Sequence, residues 1–130
     1  MSLRLKVVTP TRLMADCEVT ELTAPGVEGE MGVLPEHVTL LGALETGLLS
    51  YVEAGESKHI VVHGGYAEVE GADVTILADD GELPHEIDAE EARNSLAEAG
   101  KRLAEANDPE VVASLVAELR RAEVRVAALA

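Results

Sequence analysis

The chain has 130 residues, of which 47% are hydrophobic, only two aromatic (Tyr51 and Tyr66), and its formal net charge is −15. Such a length predicts one domain, or one domain with a small appendage, and an aliphatic core that offers no flat rings for stacking a base or a sugar. The acid excess repels phosphate backbones and anionic lipid, so neither nucleic-acid binding nor direct insertion into lipid is expected.

In chain order, Leu3, Leu5 and Val7 alternate with Arg4 and Lys6, the period of a strand with one buried face. Further extended segments are predicted at Glu18–Ala24, Leu48–Glu53, Lys58–His63 and Tyr66–Glu70. Val74, Ile76 and Ala78 then alternate with Thr75 and Leu77. The separators read as turns: Pro25-Gly26, Gly29, Gly32, Gly42, Gly47, Gly55, Gly64-Gly65 and Gly71. Short strands with a turn about every ten residues predict an antiparallel sandwich or flattened barrel.

The composition changes near Pro84, where the strand pattern stops and alanine becomes dominant. Asp88 followed by Glu91 has the form of a helix capping box. Ala92, Leu96, Ala99, Leu103 and Ala106 recur at helical spacing. After Asn107, Asp108 can cap a second helix with Pro109 in its first position. Val112, Leu115, Leu119, Ala122, Val126 and Leu129 repeat the spacing. A turn this short makes the two helices antiparallel, and a seam with so few leucines makes the hairpin marginal alone. The expected domains are therefore 1–85, a β-sandwich, and 86–130, a helix-turn-helix tail. The first holds four basic against fifteen acidic side chains, the second six against ten.

The chemistry-bearing residues form no catalytic constellation that the sequence reveals. Cys17 stands alone, so no internal disulfide and no thiolate metal site can form. His37, His59, His63 and His85 read as surface and turn residues; His59 and His63 lie about 13 Å apart along a strand and cannot converge on one ion. Ser2, Ser50, Ser57, Ser95 and Ser114 lack the strand–turn–helix elbow of a hydrolase serine. Asp79-Asp80 beside Gly81 reads as a solvated turn, and Gly64-Gly65 is too short for a phosphate-cradling loop. No basic-then-apolar leader is present, and no apolar run approaches the ~18 residues of a membrane span. No metal, no catalytic residue and no obligatory cofactor are expected.

Two stretches resemble a known family. Glu28-Gly29-Glu30-Met31-Gly32-Val33-Leu34-Pro35-Glu36-His37 is similar to its E-G-x-x-G-(I/V)-x-P-x-H motif. Gly64-Gly65-Tyr66-Ala67-Glu68-Val69 with Val74-Thr75-Ile76-Leu77-Ala78-Asp79 is similar to its G-G-x-x-(E/V)-V and V-T-(I/V)-L-A-D motifs. With the two-helix tail, the chain resembles, over essentially its whole length, the epsilon subunits of the F-type ATP synthase.

The resemblance implies a sandwich of about ten short antiparallel strands followed by a helical hairpin. It also implies a non-catalytic rotor subunit at the cytoplasmic face of the cell membrane, peripheral, bound to the gamma subunit and to the ring of c subunits. Glu28, Gly29, Glu30, Met31 and Gly32 would form the ring-contact loop, with Glu30 as its charged contact, and His37 would serve a local turn. The tail, through Arg120, Arg121 and Arg125, would meet the alpha/beta catalytic hexamer when extended and restrain ATP hydrolysis. Some relatives bind ATP as a regulatory ligand through an I-D-x-x-R-A motif. Ile87, Asp88 and Ala92 match it, with Glu82 and Arg125 as companions, but Glu91 stands where the motif has arginine. A carboxylate there repels a polyphosphate. The alternative from another class is a free-standing nucleotide-binding sandwich with a helical lid.

Overall fold

A computed structural model of the chain describes residues 2–33 and 38–130. It divides into two compact units, Met1–Leu83 and Pro84–Ala130. The first holds β1 (Leu3–Val8), β2 (Leu13–Val19), β3 (Glu21–Gly26), β4 (Gly29–Val33), β5 (Val38–Glu53), β6 (Glu56–Gly71), β7 (Asp73–Ala78) and β8 (Gly81–Glu82). The second holds a 3-10 turn at Pro84–Glu86, then α1 (Ala89–Glu105) and α2 (Pro109–Ala127).

The expected sandwich and hairpin are both present. The strands differ from expectation in number and length, for a physical reason. β5 and β6 each run 16 residues and pair along their whole length, so Gly42, Gly47 and Gly64-Gly65 lie inside strands rather than between them. The ten short strands expected therefore become eight among the described residues. At Gly64 and Gly65 the backbone has φ of 77° and 120°, a left-handed region that glycine enters without strain. There the buried face changes phase. Ile60 and Val62 point into the core before it, and Ala67 and Val69 after it. The paired strand changes phase at the same level, from Leu44 to Leu49 and Tyr51. One long ribbon thus crosses from one side of the core to the other, as strands do at the corners of folded-over sheets.

Pro25 helps to make that corner. It lies inside β3, not in a turn, and a Cβ on Gly47 would fall 2.4 Å from its own Cβ. Having no N–H, proline gives up a ladder bond, and the β3–β5 register shifts between Thr23 and Gly26. Gly55 does make a turn. Ala54 and Gly55 have φ of 51° and 80°, a left-handed pair suited to a two-residue hairpin.

The strand order is β2-β1-β7-β6-β5-β3-β4, with β8 beside β6. β1 and β7 run parallel, with Leu5 opposite Val74 and Val7 opposite Ile76, the one departure from antiparallel pairing among the described residues. Leu3, Leu5, Val7, Leu49, Ile60, Val62 and Ile76 are wholly buried. Burying each aliphatic side chain contributes about 1.5–3 kcal/mol. The segment Glu18–Ala24 is broken at Thr20 into the end of β2 and most of β3, and β4 was not foreseen.

In the helical unit the local signals hold closely. Asp88 caps α1 by accepting the Glu91 N–H at 3.0 Å, and Asp108 caps α2 by accepting the Glu110 N–H at 2.9 Å. Ala92, Ala99, Leu115 and Ala122 are buried, and the other members of both stripes are half-buried. Arg102 of α1 pairs with Glu118 of α2 at 3.3 Å, the antiparallel register the short turn requires.

Candidate functional site

The ring-contact candidates sit at a hairpin tip. Gly26 pairs with Gly29, so β3 and β4 are joined by Val27 and Glu28 alone. Gly29 has φ of 123°, and a side chain on Gly26 would strike the Gly29 carbonyl at 2.6 Å. Glu28, Gly29, Glu30 and Gly32 are exposed. Met31 is not a surface contact in the same sense. It is half-buried against the core, and its side chain lies over Gly26 and Gly42. The tip therefore presents two carboxylates on a short, firmly paired turn, suited to meeting a polar or cationic surface and unsuited to bond-making. The second half of the motif, Leu34, Pro35, Glu36 and His37, lies outside the described residues.

The three arginines of the tail do not act as one group. Arg120 and Arg121 are exposed on α2. Arg125, in the last turn, bonds to Glu91 in the first turn of α1 at 2.9 Å. The acid lies at the positive end of one helix and the base at the negative end of the other, so each also suits its helix dipole.

The nucleotide candidates are engaged elsewhere. Ile87 and Ala92 are buried, and the Asp88 carboxylate is occupied as a helix cap. Glu91, in the place of the motif arginine, accepts the Ser95 hydroxyl at 3.1 Å and holds Arg125. The cation best able to receive a phosphate thus already has an anionic partner from its own chain. Glu82 belongs to the other unit, where it meets His63 Nε2 at 3.2 Å.

His63 corrects the expectation of a surface histidine. It is buried, and its Nδ1 has no partner. His85 is exposed, as expected.

Sequence reasoning also missed a pair that the β5–β6 hairpin assembles. Ser50 and His59 stand opposite each other, with Oγ to Nδ1 at 2.9 Å, beside a hollow of about 140 Å³ lined by Glu21, Thr23, Tyr51 and Lys58 among others. Counting outward from the Ala54-Gly55 turn would have found it. The pair is a nucleophile–base contact in distance only. Among the described residues no carboxylate orients the far ring nitrogen, and Ser50 sits mid-strand on a sheet face, not on an elbow. Nearby, burial first and then the Glu53 carboxylate push the Cys17 thiol up, so it stays protonated and poorly nucleophilic. Burial likewise raises Tyr51. Among the described residues no group of three or more His, Cys, Asp or Glu side chains could hold a metal ion.

Residues 2–84 match the family model described as ATP synthase, Delta/Epsilon chain, beta-sandwich domain. The ATP synthase epsilon chain of Nitratidesulfovibrio vulgaris is 42% identical over 124 residues, covering 95% of this chain and 92% of that protein. The ATP synthase epsilon chain of Solibacter usitatus is 42% identical over 129 residues, covering 97% of this chain and 94% of that protein. Among solved structures, a chain of the Euglena gracilis mitochondrial ATP synthase, OSCP/F1/c-ring in rotational state 1, superposes with a TM-score of 0.85 at 27% identity, covering 99% of this chain and 82% of its own. Sheet unit, helical hairpin and sequence agree along nearly the full length, and the chain belongs to the ATP synthase epsilon chain family.

Proposed function

We propose that the chain is a rotor subunit of the F-type ATP synthase, seated in the central stalk between the gamma subunit and the c-subunit ring. It performs no catalytic step. It lies at the cytoplasmic face of the membrane as a peripheral component, held there by its partners; among the described residues no helix is long and apolar enough to cross a bilayer. The observation that supports this most is the 42% identity to epsilon chains over 95% of the chain.

The geometry suits the role. A connector that transmits torque must resist bending, and two 16-residue strands paired end to end give the sheet unit a continuous spine. The Glu28–Gly32 tip meets polar loops of the ring, with Glu30 as the charged contact. Extended beside gamma, the tail brings Arg120 and Arg121 to acidic segments of the alpha/beta hexamer and restrains hydrolysis. Closed, the hairpin needs no ATP, because Glu91 already neutralises Arg125. That pair also disfavours a free-standing nucleotide-binding sandwich with a helical lid.

The test is reconstitution of the synthase depleted of this subunit. The full chain is expected to restore coupled synthesis and lower uncoupled hydrolysis, while a chain ending at Ile87 restores coupling but leaves hydrolysis high. Equal hydrolysis with both would discard the inhibitory tail. Failure of both to restore coupling would discard the rotor reading.

A further inference from the structure

Of the chain's three methionines, Met14 and Met31 pack half-buried against the sheet core. Met31 occupies a slot made by two glycines. Its side chain starts on β4 and reaches Gly26 of β3 and Gly42 of β5. A Cβ on Gly26 would lie 3.0 Å from the Met31 Cγ, and one on Gly42 only 2.8 Å from the Met31 Sδ. The thioether thus takes the space that side chains at both positions would need. An unbranched, polarizable chain suits such a slot, which a branched side chain fills poorly.

That slot fastens the hairpin tip. Among the described residues β4 ends the sheet and pairs with β3 alone. The tip is tied to β5 by the Val27 N–H, which donates to the Ala43 carbonyl at 3.0 Å. Met31 covers Gly42, the residue next to Ala43. One backbone bond and one thioether therefore hold the tip to β5 at the same level. The exposed Glu28 and Glu30 ride on these two fastenings. Met14 covers Gly81 of β8 instead, and has no part in them.

Sulfur at this place adds a chemistry that a hydrocarbon would lack. Its lone pair attacks one oxygen of a peroxide: an S–O bond forms, the O–O bond breaks, and hydroxide leaves to be protonated as water. Sulfur loses two electrons and the peroxide gains them. The new oxygen needs a hydrogen-bond donor. Toward Gly42 the backbone leaves no room for it, and toward the core the side chains are aliphatic apart from Tyr51. An oxygen buried there without a donor is costly. Only the solvent side accepts it, and turning it outward lifts the sulfur from its slot. Cys17 is a weak competitor for the oxidant, because burial and then Glu53 keep its thiol protonated. We infer that Met31 is a reversible oxidation site, whose sulfoxide frees the hairpin tip from β5. Two thiols reverse the step through a methionine sulfoxide reductase, giving thioether, disulfide and water. That the freed tip holds the ring less firmly rests on the rotor reading above.

The probe is hydrogen peroxide, applied to the full-length chain carrying Met14→Leu and followed by peptide mass spectrometry and hydrogen exchange. Met31 is expected to gain one oxygen. The Val27 amide and the amides of β4 should then exchange about ten-fold faster or more, with β1, β2 and both helices unchanged. Methionine sulfoxide reductase with a dithiol should restore the original rates. Met31→Leu should keep slow exchange through the same treatment. Met31→Gln, polar and of similar length, should exchange faster at the tip without any oxidant. Original rates with Met31 fully oxidised would overturn the release of the tip. An intact Met31 in a chain whose Met1 is oxidised would overturn the site itself. Faster tip exchange in peroxide-treated Met31→Leu would assign the effect elsewhere and overturn it too. These readouts use the chain alone, so they stand or fall apart from the rotor reading.

Discussion

The two units are held together in opposite ways. In the sheet unit the decisive contacts join residues far apart in sequence: β1 lies beside β7, nearly seventy positions later, and Arg4 opposes Asp73. In the helical unit each element is stabilised from within by its own cap, and the two helices meet through pairs such as Arg102–Glu118 and Arg125–Glu91. The first arrangement forms or fails as a whole. The second relies on contacts that each span a short stretch of chain or one pair of helix turns. Long-range pairing makes the stability of the sheet unit cooperative, whereas short-range contacts leave the stability of the helical unit local.

Removing part of the sheet core should break the comparison most severely. Ile76 is wholly buried in β7, so Ile76→Ala should cost about 2–5 kcal/mol in denaturant titration. A loss below 1 kcal/mol would mean that the core is less tightly closed than its burial indicates. Gly65→Ala comes next. Its Cβ would sit 2.1 Å from the Leu77 carbonyl oxygen at a φ of 120°. Strain of about 1–3 kcal/mol is expected from the backbone alone, before the clash. A variant as stable as the parent would show that the β6 corner can flatten.

The helical unit should respond more weakly and more locally. Asp88→Ala removes the α1 cap and should cost about 1 kcal/mol, read as faster hydrogen exchange confined to the first turn of α1. Exchange spreading uniformly through α2 would contradict the local picture. Smallest of all, Glu91→Ala, Arg125→Ala and the double variant should give a coupling of about 0.2–1 kcal/mol for the partly exposed pair. The readout is opening of the free end of the hairpin, followed by hydrogen exchange or by spin-label distance. Zero coupling would remove this ion pair as a clasp and leave the caps, the apolar seam and the Arg102–Glu118 pair to hold the hairpin.

Much of the molecule was readable in advance. The alternation Leu3-Arg4-Leu5-Lys6-Val7 located β1 because a half-buried strand imposes a period of two. The spacing of Ala92, Leu96 and Ala99 located α1 because a helix imposes its own. Both caps were legible, since a carboxylate reaches only its own helix start. The glycines were less legible. Gly55 and Gly65 look alike in sequence, yet one closes a hairpin and the other bends a continuous strand, and only the facing strand distinguishes them. The same limit hid β4, the Ser50–His59 contact and the burial of His63.

Periodicity, capping residues and motif order are local properties, and from them alone follow the β-then-α organisation, the hairpin and the family. Tertiary structure decided what local patterns leave open: that β1 joins β7 in parallel, that Arg125 is spent on Glu91, and that Ser50 comes to face His59. The reason is register. Which residues stand opposite one another is set by pairings between distant segments, and no single segment carries that information.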